Sequence, residues 1–525
     1  MPTLAPKNNK WLYLGFLNLL YSFLVVSLAY ISKLILDFAT SGDKNGVIIY
    51  SSVFLGVILL AILFKLIENF IYVRVGLNRQ IELRRILFQN RLMASIREDN
   101  IHTGLLIQAY QTDIGNIVSG EVDTYPRIFF EVGRLTFAII SVLFIDWRFL
   151  IILITVGVIG LIFARIYSKL MKSMHKRVLK SDGEMNSFFQ ESMENIKLVQ
   201  SYDANDRFIK YYDKKEEGFI HNKRRLLNFQ LVANNILILG SNIVYAACIF
   251  YGGYSIASGR MSYGTLLAII QLMSHIQSPI MSFSAIINRL SLYRTSLERF
   301  NERINVKMNA ISILNDFDSI NINDLTFGYD ENALFEHLSF TINKGDVIEI
   351  KGHSGIGKTS LFMILLGFLN PKGGSVIASY DNEEYDEVAT KSLFSYVAQE
   401  NILFSGTIRD NFNLLVGECN IEEALRFSNV YDEIMELPLG IDTVLLERGG
   451  GLSIGQLQRV MIAIAYAKNR PIFLLDEFTS ALDEGNSRVI INNLKKHNKT
   501  IIFISHKNDN INANKIINLE EYIKE

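Results

Sequence analysis

The chain has 525 residues, of which 49% are hydrophobic and only 20% charged, below the roughly 25% usual for soluble proteins. Such a length allows several domains, and a net charge of −1 leaves no electrostatic footprint for nucleic-acid binding. Cys248 lies in an apolar stretch and Cys419 in the more polar half; they make a poor disulfide pair and point to a reducing cytosol plus membrane rather than to secretion.

Lys7 and Lys10 precede an apolar run that is too long for a cleavable secretory signal and lacks a small-residue exit. Six apolar runs then follow in chain order, at 11–38, 47–70, 128–145, 149–166, 231–257 and 264–290. Each approaches or exceeds the roughly 20 residues that cross a bilayer. So many before residue 300 predict a membrane domain rather than buried helices of a soluble protein.

Basic residues set the orientation. Arg74, Arg79, Arg84, Arg85, Arg91 and Arg97 follow the second run, and Lys169, Lys172, Lys176, Arg177 and Lys180 follow the fourth. The loops 39–46, 146–148 and 258–263 on the other side are short and nearly neutral. By the positive-inside rule both termini and the connections 71–127 and 167–230 are cytoplasmic. Those connections are polar with helical periodicity, as expected of membrane helices continued into the cytosol. Few charges fall in or near the membrane. Glu131 and Arg134, three apart, share one helix face, and Lys65 and Glu68 have the same spacing. Each pair reads either as a structural ion pair or as the lining of a substrate cavity. Pro279 in the sixth run either kinks its helix or is tolerated there.

After residue 300 short strand-like segments alternate with amphipathic helices. The segment 346–350 reads as a buried strand and 360–366 as a helix. Between them run Gly352, His353, Ser354, Gly355, Ile356, Gly357, Lys358, Thr359 and Ser360, a P-loop in its expected strand–loop–helix setting. Its N–H groups and the helix N-terminus suit phosphates, Lys358 the β- and γ-phosphates, and the Thr359 hydroxyl Mg2+. A second buried strand, 471–477, ends in Asp476 and Glu477. Asp476 is placed for the metal's hydration shell and Glu477 for polarising the attacking water. A third apolar strand, 500–504, ends in Ser505 and His506, and the histidine is a candidate γ-phosphate contact.

On these residues the chain resembles the ATP-binding cassette (ABC) family. Tyr329 matches the aromatic that stacks on adenine, and Gln399 the Q-loop glutamine, which also reaches the metal. Leu452, Ser453, Ile454, Gly455 and Gln456 match the signature motif; Ser480, Ala481, Leu482 and Asp483 match the D-loop, and His506 the switch histidine. The residues 403–410, Glu447, Thr103 with Gly104, Thr112 with Asp113, and the segment 191–202 resemble exporter half-transporters in particular.

The resemblance implies a membrane all-α six-helix transmembrane domain (1–305) plus an α/β P-loop NTPase domain of ABC type (306–525). It also implies ATP and Mg2+ as ligands, with Glu477 and His506 as the catalytic residues. Ser453, Gly455, Gln456 and Asp483 would meet the ATP of a second half-transporter. A homodimer is the economical choice because one chain carries both halves of the site; a heterodimer is the alternative. The expected activity is ATP-driven export by alternating access across the cytoplasmic membrane, with the ATPase cytosolic. The cargo would be a modified or small peptide or an amphiphile. The alternatives are a lipid flippase or a membrane-anchored ATPase that senses or regulates. With no protease domain ahead of Trp11, cargo processing by such a domain is not expected. A composition rich in Ile, Asn and Lys hints at a bacterial source. Two positions depart from the family pattern. Ile454 and Leu446 stand where glycine is usual. Isoleucine disfavours positive φ and close backbone approach, but Ser453 and Gly455 are intact, so a working site is expected, with its rate left open.

Overall fold

The computed structural model describes residues 11–94, 103–305, 313–329, 333–386, 390–478, 482, 484–504 and 513–523. The chain forms two compact units that part after Asn305, with a short stretch from Leu92 grouped with the second.

In the first unit the apolar runs fall on the helices Trp11–Ser41, Lys44–Met93, Tyr125–Asp146, Arg148–Glu194, Asn205–Ala257 and Tyr263–Ile304. Among the described residues four helical stretches are long and apolar enough to cross a membrane: Trp11–Ser41, Lys44–Met93, Gly104–Asp146 and Asn205–Ala257. Several helices outrun any bilayer. At about 1.5 Å per residue the 50-residue helix Lys44–Met93 reaches roughly 75 Å, against roughly 30 Å of hydrocarbon. Their polar extensions are the long connections expected from the sequence.

The apolar faces of four helices meet in a core that includes Val26, Ala138, Val142, Val244, Cys248, Ile269 and Leu272. Gly133 allows the close approach of Tyr125–Asp146 to Trp11–Ser41, since a methyl there would collide with Ser22. The helix Tyr263–Ile304 continues on both sides of Pro279.

The return leg of the first connection holds a feature that helical periodicity does not disclose. Two π-helical turns, Ala109–Asp113 and Gly120–Thr124, interrupt it. Each places a buried acid against an arginine. Glu121 takes Arg79 in a bidentate pair at 2.8 and 3.0 Å, and Asp113 takes Arg303 at 2.5 Å.

The second unit is built on a five-stranded parallel sheet. Its strands are β3 (Val347–Lys351), β6 (Phe394–Val397), β9 (Ile472–Asp476), β10 (Thr500–Ile504) and β11 (Lys515–Asn518), in the order β11-β3-β10-β9-β6. A parallel sheet is covered on both faces and so needs apolar residues at successive positions. Ile472, Leu474, Ile502 and Ile504 enter one hydrophobic cluster, while Phe473, Leu475, Ile501 and Phe503 enter the other. An antiparallel sheet joins β1 (Ser319–Phe327), β2 (Phe335–Asn343), β4 (Gly373–Tyr380) and β5 (Glu383–Tyr385) in the order β2-β1-β4-β5, and the short strands β7 (Gly406–Thr407) and β8 (Val444–Leu445) pair with each other. The P-loop and the Asp476–Glu477 pair both follow the C-terminal ends of parallel strands, where open α/β sheets receive ligands.

Candidate nucleotide site

The loop after β3 wraps into the helix Lys358–Leu365, whose N-cap is Gly357 at φ 103°. A side chain at that angle is strained, so glycine is what permits the turn. Lys358 is buried and donates from Nζ to the carbonyls of Gly352 (2.7 Å) and His353 (3.1 Å). Burial pushes its ammonium down, opposed by the charges of Glu477, Asp476 and Glu520. The His353 N–H donates to Glu520 at 3.0 Å.

Across the loop, Asp476 is fully buried at the end of β9. Its two oxygens accept from the Thr359 hydroxyl and the Tyr396 phenol, each at 3.3 Å. Burial pushes the Asp476 carboxyl up, while both donors pull it down. Burial also pushes the Tyr396 phenol up, reinforced by Asp476. Glu477 sits at φ 48°, in the left-handed region that a non-glycine residue enters at a cost. Its N–H donates to Ile504 on the neighbouring strand at 3.1 Å, and its carboxylate accepts from the Gln399 amide at 2.6 Å. Thr359 and Asp476 thus present hard oxygens side by side, a donor set that fits Mg2+.

Tyr329 is 58% exposed, its ring edge-on to Phe327 and its hydroxyl 3.4 Å from Ser360. An exposed ring beside the phosphate loop suits stacking on a base.

The signature motif stands at the start of the helix Ile454–Ala467. Ser453 is its N-cap and forms a reciprocal capping box with Gln456, each accepting the other's backbone N–H. The Gln456 amide also donates to Glu433, which Arg459 holds through two bonds at 2.6 and 2.8 Å. Gln456 is therefore committed to holding the helix start, and Ser453 is exposed. Among the described residues no hydrogen bond joins the signature to the P-loop of the same chain. Ile454 corrects one expectation. It is the first helical residue, not a positive-φ position, so isoleucine brings no backbone strain. What it brings is bulk, for its side chain is 70% exposed between Ser453 and Gly455. Leu446 is likewise exposed, and its N–H donates to Gly450 at 2.9 Å.

Asp483 and His506 lie outside the described residues, as does the Glu447 side chain. In the membrane unit each of the four candidate cavity residues is paired within its own helix. Lys65 meets Glu68, which also accepts from Asn18 at 3.1 Å. Arg134 lies 3.5 Å from the buried Glu131.

Tyr396 and Glu520 went unread in the sequence. Both become visible only through strand pairing. The register of β6 against β9 carries Tyr396 to Asp476, and that of β11 against β3 carries Glu520 to the P-loop.

A helical unit with membrane-length helices, joined to a P-loop unit with paired acids at a strand end, defines a nucleotide-driven membrane transporter. Residues 11–280 match the family model of the ABC transporter transmembrane region and residues 335–480 that of the ABC transporter. The chain belongs to the ABC transporter family, as an exporter-type half-transporter that couples ATP hydrolysis to transport. An ATP-dependent lipid A-core flippase of Syntrophus aciditrophicus (strain SB) is 25% identical over 448 residues, 82% of this chain and 74% of that protein. A probable multidrug resistance ABC transporter ATP-binding/permease protein, YheH of Bacillus subtilis (strain 168), is 25% identical over 499 residues, 91% of this chain and 74% of its own length. The alpha-hemolysin translocation ATP-binding protein HlyB of Escherichia coli O157:H7 is 30% identical over 349 residues, 64% of this chain and 49% of that protein. In fold, the chain matches a bacterial Atm1-family ABC exporter with ATP bound at a TM-score of 0.82, with 20% identity, covering 97% of this chain and 93% of that one.

Proposed function

We propose that two copies of this chain form an exporter in a bacterial cytoplasmic membrane, with the ATPase units in the cytosol, moving an amphiphile or a peptide outward. The observation that carries this reading is the meeting of Thr359, Asp476, Gln399 and Glu477 beside the P-loop. Asp476, Thr359 and Gln399 would hold Mg2+, which would supply charge neutralisation on the phosphates. Lys358 leaves the Gly352 and His353 carbonyls to meet the β- and γ-phosphates. Tyr329 stacks on the adenine. Glu477 orients the attacking water and takes its proton as general base, and His506 steadies the γ-phosphate. Ser453 and Gly455 of one copy close over the nucleotide held by the other, with Asp483 at the same junction. The exposure of Ser453 on the isolated chain suits that use. Closure around ATP and release after hydrolysis drive the membrane unit between its two access states. The names of the flippase and multidrug relatives support an amphiphilic cargo, and that of the hemolysin translocator a peptide.

The test is Glu477→Gln in the full chain, reconstituted in lipid vesicles. ATP binding should persist while hydrolysis falls by about 100-fold or more and export stops. Unimpaired export by this variant would sink the assignment. Stimulation of ATPase activity by lipids, peptides and drug-like amphiphiles in lipid discs then identifies the cargo class.

A further inference from the structure

The last strand and turn of the chain abut the P-loop. β11 runs parallel to β3, with Asn518 opposite Lys351, the residue from which the loop departs. Leu519, fully buried, packs into the core beneath, 3.7 Å from the position a Cβ on Gly352 would take. The next residue, Glu520, is exposed and accepts the His353 N–H at 3.0 Å. The same His353 residue offers its carbonyl to Lys358 at 3.1 Å, and Gly352 offers its own at 2.7 Å. The entry of the loop is therefore held from two sides, by a carboxylate on the N–H and by an ammonium on the carbonyls.

Only one of those holds can survive nucleotide binding. Lys358 must release both carbonyls to reach the phosphates, and a loop shaped by Lys358 alone would loosen as it departs. We propose that Glu520 is a positioning residue of the nucleotide site, keeping the Gly352–His353 peptide in its phosphate-receiving orientation when Lys358 turns to the ligand. Glu520 acts as a hydrogen-bond acceptor rather than as a charge, because a bare negative charge beside a phosphate site would weaken binding. The proposal rests on the P-loop as the nucleotide site.

The experiment uses the full chain in lipid discs and titrates Mg-ADP by calorimetry, alongside ATPase assays at limiting and saturating ATP. Glu520→Ala should weaken ADP binding and raise KM for ATP by about tenfold, the upper end of what one ordinary hydrogen bond contributes, with kcat nearly unchanged. Glu520→Gln keeps an acceptor oxygen and should stay within about twofold of the parent. The ligand-free melting temperature of both should match the parent. Unchanged or tighter binding by Glu520→Ala overturns the proposal, as does a Gln variant as weak as the Ala variant. Weaker binding accompanied by a general loss of ligand-free stability overturns it too. Lys358→Ala separates this from the underlying reading. Lost binding there with normal binding in Glu520→Ala defeats the positioning role alone, whereas normal binding in Lys358→Ala defeats the P-loop assignment itself.

Discussion

Among the described residues the Tyr396 hydroxyl is one of two side-chain donors to the buried Asp476 carboxylate. Replacing Tyr396 by Phe removes a hydrogen bond to a charged group, at about 2 kcal/mol. The carboxyl, already pushed up by burial, should rise further and keep its proton to higher pH. Protons then compete better with the metal. In Tyr396→Phe the Mg2+ concentration for half-maximal ATPase activity should rise, and rise more at mildly acid pH than at neutral pH; a metal titration at both conditions reads this out. Ile454 makes a different demand. Its exposed side chain leaves the helix backbone undisturbed but adds bulk between Ser453 and Gly455, the two residues proposed to meet the partner's nucleotide. Ile454→Gly should raise turnover several-fold, with less than about 1 kcal/mol lost from the helix start. A variant no faster than the parent would show that the bulk does not matter. The motif letters alone suggested backbone strain at 454. The position within the helix decides otherwise, because the first helical residue has ordinary φ.

At the scale of elements, the π-helical turns explain pairings that no sequence period announces. Each inserts one residue into the helical count and so re-aims the side chains around it. Arg79 reads in sequence as one of six basic residues marking the cytoplasmic side. In the structure its side chain is 3% exposed and locked to Glu121, itself 6% exposed. Burial disfavours the Arg79 charge, yet its bonds to Glu121 and Glu82 leave it raised overall. Arg79→Ala takes the bidentate arginine away from the buried Glu121, which should cost about 3–5 kcal/mol. Converting the pair together, Arg79→Met with Glu121→Leu, should recover most of that loss. Thermal unfolding in detergent checks both, and a double variant as unstable as the single would show that the pair is not the cause. The four residues read as possible cavity lining show the same local logic. Spacings of three bring Lys65 to Glu68 and Glu131 to Arg134 on their own helices.

For the whole molecule, the proposed dimer makes the signature and the P-loop two half-sites that a second chain would complete. Co-reconstituting parent and Glu477→Gln chains in varying ratio tests this. If hydrolysis needs two competent copies, activity should follow the square of the parent fraction; a linear decline would indicate sites that turn over singly. The sequence by itself determined the two-part organisation, the apolar runs, the P-loop, and the acids at a strand end. The physical reason is that each depends on neighbours along the chain: a bilayer reads a contiguous apolar length, and a phosphate is cradled by consecutive N–H groups. Strand positions were legible for the same reason, as β9 and β10 carry unbroken apolar runs at 472–475 and 501–504, and β3 is apolar but for Glu349 and Lys351. Only the tertiary structure decided that Tyr396 meets Asp476, that Gln399 meets Glu477, that Arg79 meets Glu121, and that Glu520 meets His353. These contacts join residues between 42 and 167 positions apart, and they follow from strand order, register and an inserted helical residue, none of which leaves a local period to read.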